Sequence, residues 1–253
     1  MIKLEGLTKD FGAKRAVDSL TFEVRPGELF GFLGPNGAGK TTTLRMLATL
    51  LTPTSGSAVI AGHDLKTDAM AVKRATGYLA EQPYLYPKLS GREFIELVGS
   101  LYGVPPQDVE NRRERFVKLL GLEKDQDLLA EGYSQGMKQK LGLIALLVHE
   151  PQVLLLDEPT NGLDPRAART VKDLLTAMCA RGRTVLMSTH ILEVAQQMCD
   201  RVGIIYEGRL VALGTMEELR QGKDASLEEI FLEVTGGAEV QDLARVLGEE
   251  EQG

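Results

Sequence analysis

"GELFGFLGPNGAGKTTTLRMLATL", Gly27 to Leu50, runs from an apolar segment through a glycine-rich loop into a helical pattern. Within it, Gly34 to Thr41 spells G-x-x-x-x-G-K-[ST], directly after the apolar "LFGFL" and directly before "TTTLRMLATL", the strand and helix that this pattern requires around it. Glycines let the backbone bend tightly enough for several N–H groups to converge on phosphate oxygens, and the helix N-terminus behind them adds favourable partial charge. Gly34, Pro35, Asn36, Gly37, Ala38 and Gly39 therefore read as a phosphate cradle. Lys40 is placed to reach the β- and γ-phosphates, Thr41 to hold Mg²⁺ through its hydroxyl, and Thr42 to act as a further phosphate donor.

Outward from this loop, "LTFEV", "SAVIAG", "TGYLA", "VLLLDE", "TVLMST" and "RVGIIY" also read as strands, most of them nearly continuously apolar. Such runs suit strands buried on both faces, and the helices between them imply an α/β fold with a mostly parallel sheet. "VLLLDE" places Asp157 and Glu158 at the C-terminal end of its strand, the end where open α/β sheets bind ligands. Asp157 suits a Mg²⁺ site. Glu158 suits the polarisation of an attacking water, the alternative being support of the metal from the second layer of contacts.

The middle of the chain differs. From about Ser90 to Glu150 the pattern is helical only, opening with a capping-box pair at Ser90 and Glu93 and with Phe94, Val98, Leu101 and Tyr102 expected on one face. Pro105 and Pro106 interrupt before a second helix through Arg113 and Leu120. The expectation is one domain over residues 1–235, with a helical subdomain at about 88–150 inserted in the α/β core, then a C-terminal helix and acidic tail at 236–253.

Composition narrows the function classes. With 253 residues and 43% hydrophobic content the chain can bury a full core. Lys and Arg number 29 against 36 Asp and Glu, a formal charge of −7 that argues against a general nucleic-acid binder, so no nucleic-acid partner is expected. Cys179 and Cys199 have neither metal-ligand spacing nor secreted-disulfide density, which points to the reducing cytosol. The N-terminus carries no apolar leader pattern, and "LGLIALLV" is far shorter than the ~20 residues that span a bilayer. Any membrane role is expected to pass through a partner.

"EGYSQGMKQKLGLIALLVHEP" narrows the family. Its core, Tyr133 to Met137, resembles the L-S-G-G-Q signature of ATP-binding cassette proteins, keeping Ser134 and Gly136 and departing at three positions, and Ser134 stands 23 residues before Asp157. The resemblance extends from Ile2 to about Glu233. It implies the cassette ATPase fold, a P-loop NTPase core with an N-terminal antiparallel β subdomain and the inserted helical subdomain, and it implies ATP and Mg²⁺ as ligands. "NGLDP", Asn161 to Pro165, is similar to the family's D-loop, and Asp164 and Pro165 also suit an N-cap and first helical residue. His190 stands where the family has a switch histidine facing the γ-phosphate, and Phe11 where an aromatic ring stacks on adenine, edge-strand packing being the other reading of Phe11. The family's Q-loop glutamine aligns with Glu81 while Gln82 follows it; a carboxylate can ligate Mg²⁺, so Glu81 is the expected metal residue, with Gln82 the alternative if the loop slips by one.

In the dimer that the resemblance implies, Ser134, Gln135 and Gly136 of one chain meet the γ-phosphate held by the partner chain's cradle, and hydrolysis at Glu158 with His190 releases the pair. Homodimer and heterodimer with a related cassette both fit. "PYLYPKLSGREF" lies where transporter members meet a membrane permease, so Tyr84 to Ser90, with Tyr84, Leu85 and Tyr86 exposed, is the expected contact. "YSQGM", "SLYG" and "SLEEIFLEVTG" resemble ATP-binding subunits of exporters whose permease is a separate chain, located at the cytoplasmic face of the cell membrane. "GTMEELRQG" and "SLEEIFLEV" read as solvated surface helices. The rival readings are a soluble cassette ATPase acting on ribosomes or DNA, and a sensor that binds ATP without turnover. One cassette, no sustained heptads and an acidic balance oppose the first; Lys40, Asp157, Glu158 and His190 together oppose the second.

Overall fold

A computed structural model describes residues 1–220 and 227–235. The chain opens with three strands, β1 (Ile2–Phe11), β2 (Lys14–Val24) and β3 (Leu29–Leu33), followed by α1 (Lys40–Leu47), β4 (Ser55–Ile60) and the short β5 (His63–Asp64). α2 (Ala69–Ala75) and β6 (Thr76–Leu79) lead into three helices, α3 (Gly91–Leu101), α4 (Pro106–Leu120) and α5 (Gln135–Leu147). The remainder alternates as β7 (Val153–Asp157), α6 (Pro165–Cys179), β8 (Thr184–Thr189), α7 (Leu192–Met198), β9 (Arg201–Tyr206), β10 (Arg209–Gly214), α8 (Met216–Arg220) and α9 (Leu227–Thr235).

Two sheets result. One is antiparallel, in the order β2-β1-β4-β5; the other runs β10-β9-β3-β8-β7-β6, parallel throughout except for the edge strand β10. "LTFEV" and "SAVIAG" belong to the antiparallel sheet, while the other five runs supply strands of the parallel one. β1, β5 and β10 carry no such run. β1 alternates Ile2, Leu4 with Lys3, Glu5, but the pairing register shifts around Gly6, which sits at φ 59°, and that shift breaks the alternation.

Alternate side chains of each parallel strand enter different cores. Phe30, Phe32 and Leu155 face α1 and the antiparallel sheet, joining Leu44, Met46, Leu47, Ile2 and Leu4. Leu154, Leu156, Val185 and Met187 face the other way, against Ile144, Leu147, Val171 and Leu175. Because both faces are buried, no polar alternation survives along these strands.

Between β6 and β7 the described chain contains helices and no named strand. Ser90 caps α3 with the full reciprocal box: its side chain accepts from the Glu93 N–H, and Glu93 accepts from the Ser90 N–H at 2.8 Å. Phe94 is buried and Val98 packs on the core, but Leu101 is 75% exposed, so the expected apolar face shifts to Phe94, Ile95 and Gly99. At the other end of the chain, α9 is not wholly solvated: Ile230 is buried against Leu33, Ala195, Val202 and Ile204. The helix and tail expected at 236–253 lie outside the described residues.

Candidate functional site: a nucleotide cleft at the strand ends

The cradle is held by backbone, which is why its glycines cannot be exchanged freely. Gly39 has φ 108°, and a Cβ there would sit 2.5 Å from the Ala16 carbonyl oxygen. The Ala38 carbonyl accepts from the Gly208 N–H at 3.0 Å, tying the loop to the β9–β10 turn. α1 has neither a side-chain cap nor an acidic residue in its first turn, so its N-terminal N–H groups are free to meet an anion. Lys40 is buried and its Nζ donates to the carbonyls of Gly34 at 2.6 Å and Pro35 at 3.1 Å. Burial lowers the Lys40 pKa, and the carboxylates of Glu158, Asp157 and Glu81 oppose that shift.

A cleft of about 570 Å³ opens over this loop, lined by Phe11, Lys14, Ala16, Asn36, Gly37, Gly39, Lys40, Thr41, Thr42, Glu81, Asp157 and Glu158. It thus gathers β1, the cradle, α1, the end of β6 and the end of β7. Phe11 is 49% exposed with Lys9 Nζ 5.2 Å from its ring centre, so the ring faces the cleft and is not packed under the sheet edge. Glu81 lines the cleft and accepts from Asn161 Nδ2 at 3.4 Å; Gln82 is exposed and is not part of the lining. Gly34, Pro35 and Ala38 are not in the lining; the Gly34 and Pro35 carbonyls hold Lys40 Nζ.

The carboxylates at the end of β7 are organised by a residue that motif reading passed over. Ser188, fully buried on β8, donates its hydroxyl to Asp157 Oδ1 at 2.5 Å and accepts from the Glu158 N–H at 3.2 Å. Its signal was a serine at the C-terminal end of the buried run "TVLMST". Glu158 sits at φ 50°. That left-handed backbone turns its side chain out of the strand line, so that Oε1 lies 2.8 Å from His190 Nδ1 and 3.9 Å from Lys40 Nζ. An ionised carboxylate only accepts, so in this pair His190 Nδ1 carries the proton. Gln139 of α5, also passed over, donates to the Glu158 carbonyl at 3.3 Å.

Asp157 Oδ2 is buried and has no hydrogen-bond partner. A carboxylate oxygen in that state is costly unless a cation or its water shell completes it. The Thr41 hydroxyl and Glu81 line the same cleft, giving hard oxygen donors that fit Mg²⁺. Among the described residues no group of three or more His, Cys, Asp or Glu could form an all-protein cage.

Ser134, Gln135 and Gly136 are not in the cleft. Ser134 caps α5, accepting from the Met137 N–H at 3.3 Å, and a Cβ on Gly136 would lie 2.8 Å from the Gly162 carbonyl oxygen. The "NGLDP" segment therefore packs directly on the head of α5. Asp164 caps α6 by accepting from the Ala167 N–H at 2.9 Å, with Pro165 as the first helical residue.

Three kinds of likeness agree with this geometry. The family profile described as "ABC transporter" matches residues 17–161. The daunorubicin resistance ATP-binding protein DrrA3 of Streptomyces coeruleorubidus is 38% identical over 235 residues, covering 93% of this chain and 74% of that protein. The probable multidrug ABC transporter ATP-binding protein YbhF of Escherichia coli (strain K12) is 36% identical over 240 residues, 92% of this chain, which spans only 41% of that longer relative. A solved structure, the dimeric post-hydrolysis state of the ATP-binding cassette MJ0796 bound to ADP and Pi, superposes with a TM-score of 0.79 at 25% identity, covering 85% of this chain and 99% of that one. A glycine cradle after β3, a carboxylate pair at the end of β7 and a matching profile over more than half its length make this chain a member of the ABC transporter family.

Proposed function

We propose that the chain is the ATP-binding and ATP-hydrolysing subunit of a transporter, that two such cassettes close around two Mg-ATP, and that their opening and closing drives a separate permease in the export direction. The observation that carries the reading is the buried Glu158, its carboxylate held by His190 and its backbone N–H by Ser188, beside Lys40 at the mouth of the cradle.

Glu158 orients a water against the γ-phosphorus and draws off its proton. The water oxygen bonds to phosphorus as the bond to the β–γ bridging oxygen breaks, giving ADP and phosphate. His190, which is not itself part of the cleft lining, holds the carboxylate through Nδ1 with its ring half exposed. Lys40 and the free N–H groups of α1 meet the phosphate charge. Thr41, Asp157 and Glu81 would hold Mg²⁺, which when bound neutralises charge developing on the phosphate oxygens. Phe11 gives the adenine ring a stacking face.

The placement of Ser134 and Gly136 outside the cleft of their own chain supports a second cassette as the group that closes it, in keeping with the dimeric state of the MJ0796 cassette. DrrA3 is named for daunorubicin resistance and YbhF as the ATP-binding protein of a probable multidrug transporter, and the export direction follows from the sequence resemblance to exporter subunits. Among the described residues no helix is long and apolar enough to cross a membrane, so on this reading the passage belongs to a partner and the cassette works at the cytoplasmic face. Tyr84 at 90% exposure and Tyr86 at 61% present a surface for that partner, while Leu85 packs on the core and is not part of it.

The test is Glu158→Gln. Turnover is expected to fall by about 10²–10⁴-fold while Mg-ATP binding is kept, leaving an ATP-dependent dimer by light scattering and a multi-span membrane protein copurifying from detergent-solubilised native membranes. A monomer in saturating Mg-ATP, or copurification of ribosomal or DNA-associated proteins alone, would refute the transporter reading.

A further inference from the structure

The segment that brings Ser134 to the surface is anchored by one side chain. Glu131, Gly132, Ser134 and Gln135 are exposed, whereas Tyr133 among them is 4% exposed, its ring packed with the buried apolar side chains of the larger core. The Tyr133 hydroxyl donates to the Asp125 carbonyl at 2.7 Å, and the Tyr133 N–H donates to the Ala130 carbonyl at 3.2 Å. The cassette signature has leucine at this position, which fills a core but carries no donor. Burial alone therefore does not account for the hydroxyl.

Asp125 belongs to a stretch that is itself pinned to the head of α3. The Arg92 N–H donates to the Gln126 carbonyl at 2.8 Å, the Gly91 N–H to the Leu128 carbonyl at 3.3 Å, and Arg92 Nε to Asp127 Oδ1 at 2.6 Å. The Ala130 N–H donates in turn to the Leu89 carbonyl at 2.9 Å. The absence of a side chain at Gly91 belongs to the same arrangement: a Cβ there would collide with the Tyr133 hydroxyl oxygen, the Gln126 carbonyl oxygen coming next at 3.2 Å. The missing Cβ at 91 and the extra oxygen at 133 are thus a complementary pair that joins the head of α3 to the residue before Ser134. The cap of α5 is the weaker restraint, since Ser134 Oγ accepts from the Met137 N–H at 3.3 Å, past the usual range for such a bond.

We propose that Tyr133 is a positioning residue for the partner's ATP site: its hydroxyl, seated between Gly91 and Asp125, fixes Ser134 where that serine meets the γ-phosphate held by the other cassette. The assignment rests on the two-cassette arrangement given under the proposed function. Tyr133 is not in the lining of its own chain's nucleotide cleft, so its effect falls on the partner's site and not on its own. Misplacement of a contacting group by about 1 Å can cost on the order of 10²-fold in rate, which makes a buried tether one residue away consequential.

The test separates the two chains of one dimer. Full chain carrying Glu158→Gln is mixed in large excess with full chain whose Glu158 is intact, dimers are assembled with ATP, and single-turnover phosphate release is started with Mg²⁺. Only the intact cradle turns over, and it faces the signature of a Glu158→Gln chain. Tyr133→Phe keeps the ring and removes the oxygen. On the Glu158→Gln chain it is expected to slow release about 2-fold to 12-fold, the scale of one neutral hydrogen bond, and on the intact chain to leave the rate unchanged. Gly91→Ala on the Glu158→Gln chain is expected to slow release further, and Tyr133→Phe added to it to bring the rate back to that of Tyr133→Phe alone. Equal slowing from either chain would give Tyr133 a merely structural role and overturns the proposal, as does an unchanged rate with Tyr133→Phe on the Glu158→Gln chain or a Gly91→Ala defect that Tyr133→Phe does not relieve. If Gly91→Ala does not fold, the two Tyr133→Phe arms decide by themselves. Absence of an ATP-dependent dimer by light scattering refutes the two-cassette reading and this role with it, whereas a dimer indifferent to Tyr133→Phe refutes only the role given to Tyr133.

Discussion

Ser188→Ala removes one oxygen from the buried C-terminal end of β8 and changes two contacts at once. The Glu158 N–H keeps a partner, the Ser188 carbonyl at 3.3 Å, so its loss is small. Asp157 fares worse: Oδ1 loses the 2.5 Å bond from the hydroxyl, and Oδ2 already has no partner. A hydrogen bond to a charged group contributes about 1.5–3 kcal/mol, and burial keeps bulk water from replacing it. At roughly 2–4 °C per kcal/mol for a chain of this size, the nucleotide-free protein should melt about 3–12 °C lower. The same loss frees Asp157 to rotate and relaxes the anchor of Glu158, so kcat should fall by on the order of 10-fold to 100-fold through misplacement of both carboxylates. Scanning calorimetry without nucleotide and steady-state phosphate release with Mg-ATP measure the two effects. A variant that melts within about 1 °C of the parent and turns over at the same rate would refute the view that Ser188 holds the carboxylate pair.

Other substitutions separate neighbouring readings. Glu81→Ala should cut turnover and raise the Mg²⁺ concentration needed for half-maximal activity, whereas Gln82→Ala, outside the cleft, should leave both unchanged; the reverse pattern would move the metal role to Gln82. Phe11→Ala should weaken ATP binding about 2-fold to 12-fold by loss of stacking while the melting temperature stays put, since the ring is half exposed, and equilibrium titration with a fluorescent ATP analogue reads this out. Burial pushes the thiols of Cys179 and Cys199 up to about 12, so below that pH both remain protonated and weakly nucleophilic. A thiol reagent at pH 7 should label neither in the folded chain and both after denaturation; rapid labelling of the native protein would contradict the packing around α6 and α7.

The core elements were legible because their chemistry is local. A strand buried on both faces must be apolar throughout, and a phosphate cradle must be glycine-rich between such a strand and a helix, so β3, β7, β8, β9 and the Gly34–Thr41 loop could be read from "LFGFL", "VLLLDE", "TVLMST", "RVGIIY" and their flanks. β1 and β10 were not read in this way, because an edge or bulged strand exposes half its side chains and its pairing depends on a neighbour distant in the chain. Leu101 illustrates the same limit: its helical period was right, but which side of α3 meets the core is set by α4 and α5. What the sequence determined by itself was which groups to propose as reacting, Lys40, Thr41, Asp157 and Glu158, since each belongs to a motif whose spacing is a few covalent bonds. Only the tertiary structure decided how they are tuned. Ser188 reaches Asp157 across 31 residues and His190 reaches Glu158 across 32, while Glu81 and not Gln82 lines the cleft. Those choices follow from strand register and backbone torsion, which depend on the packing of the whole sheet.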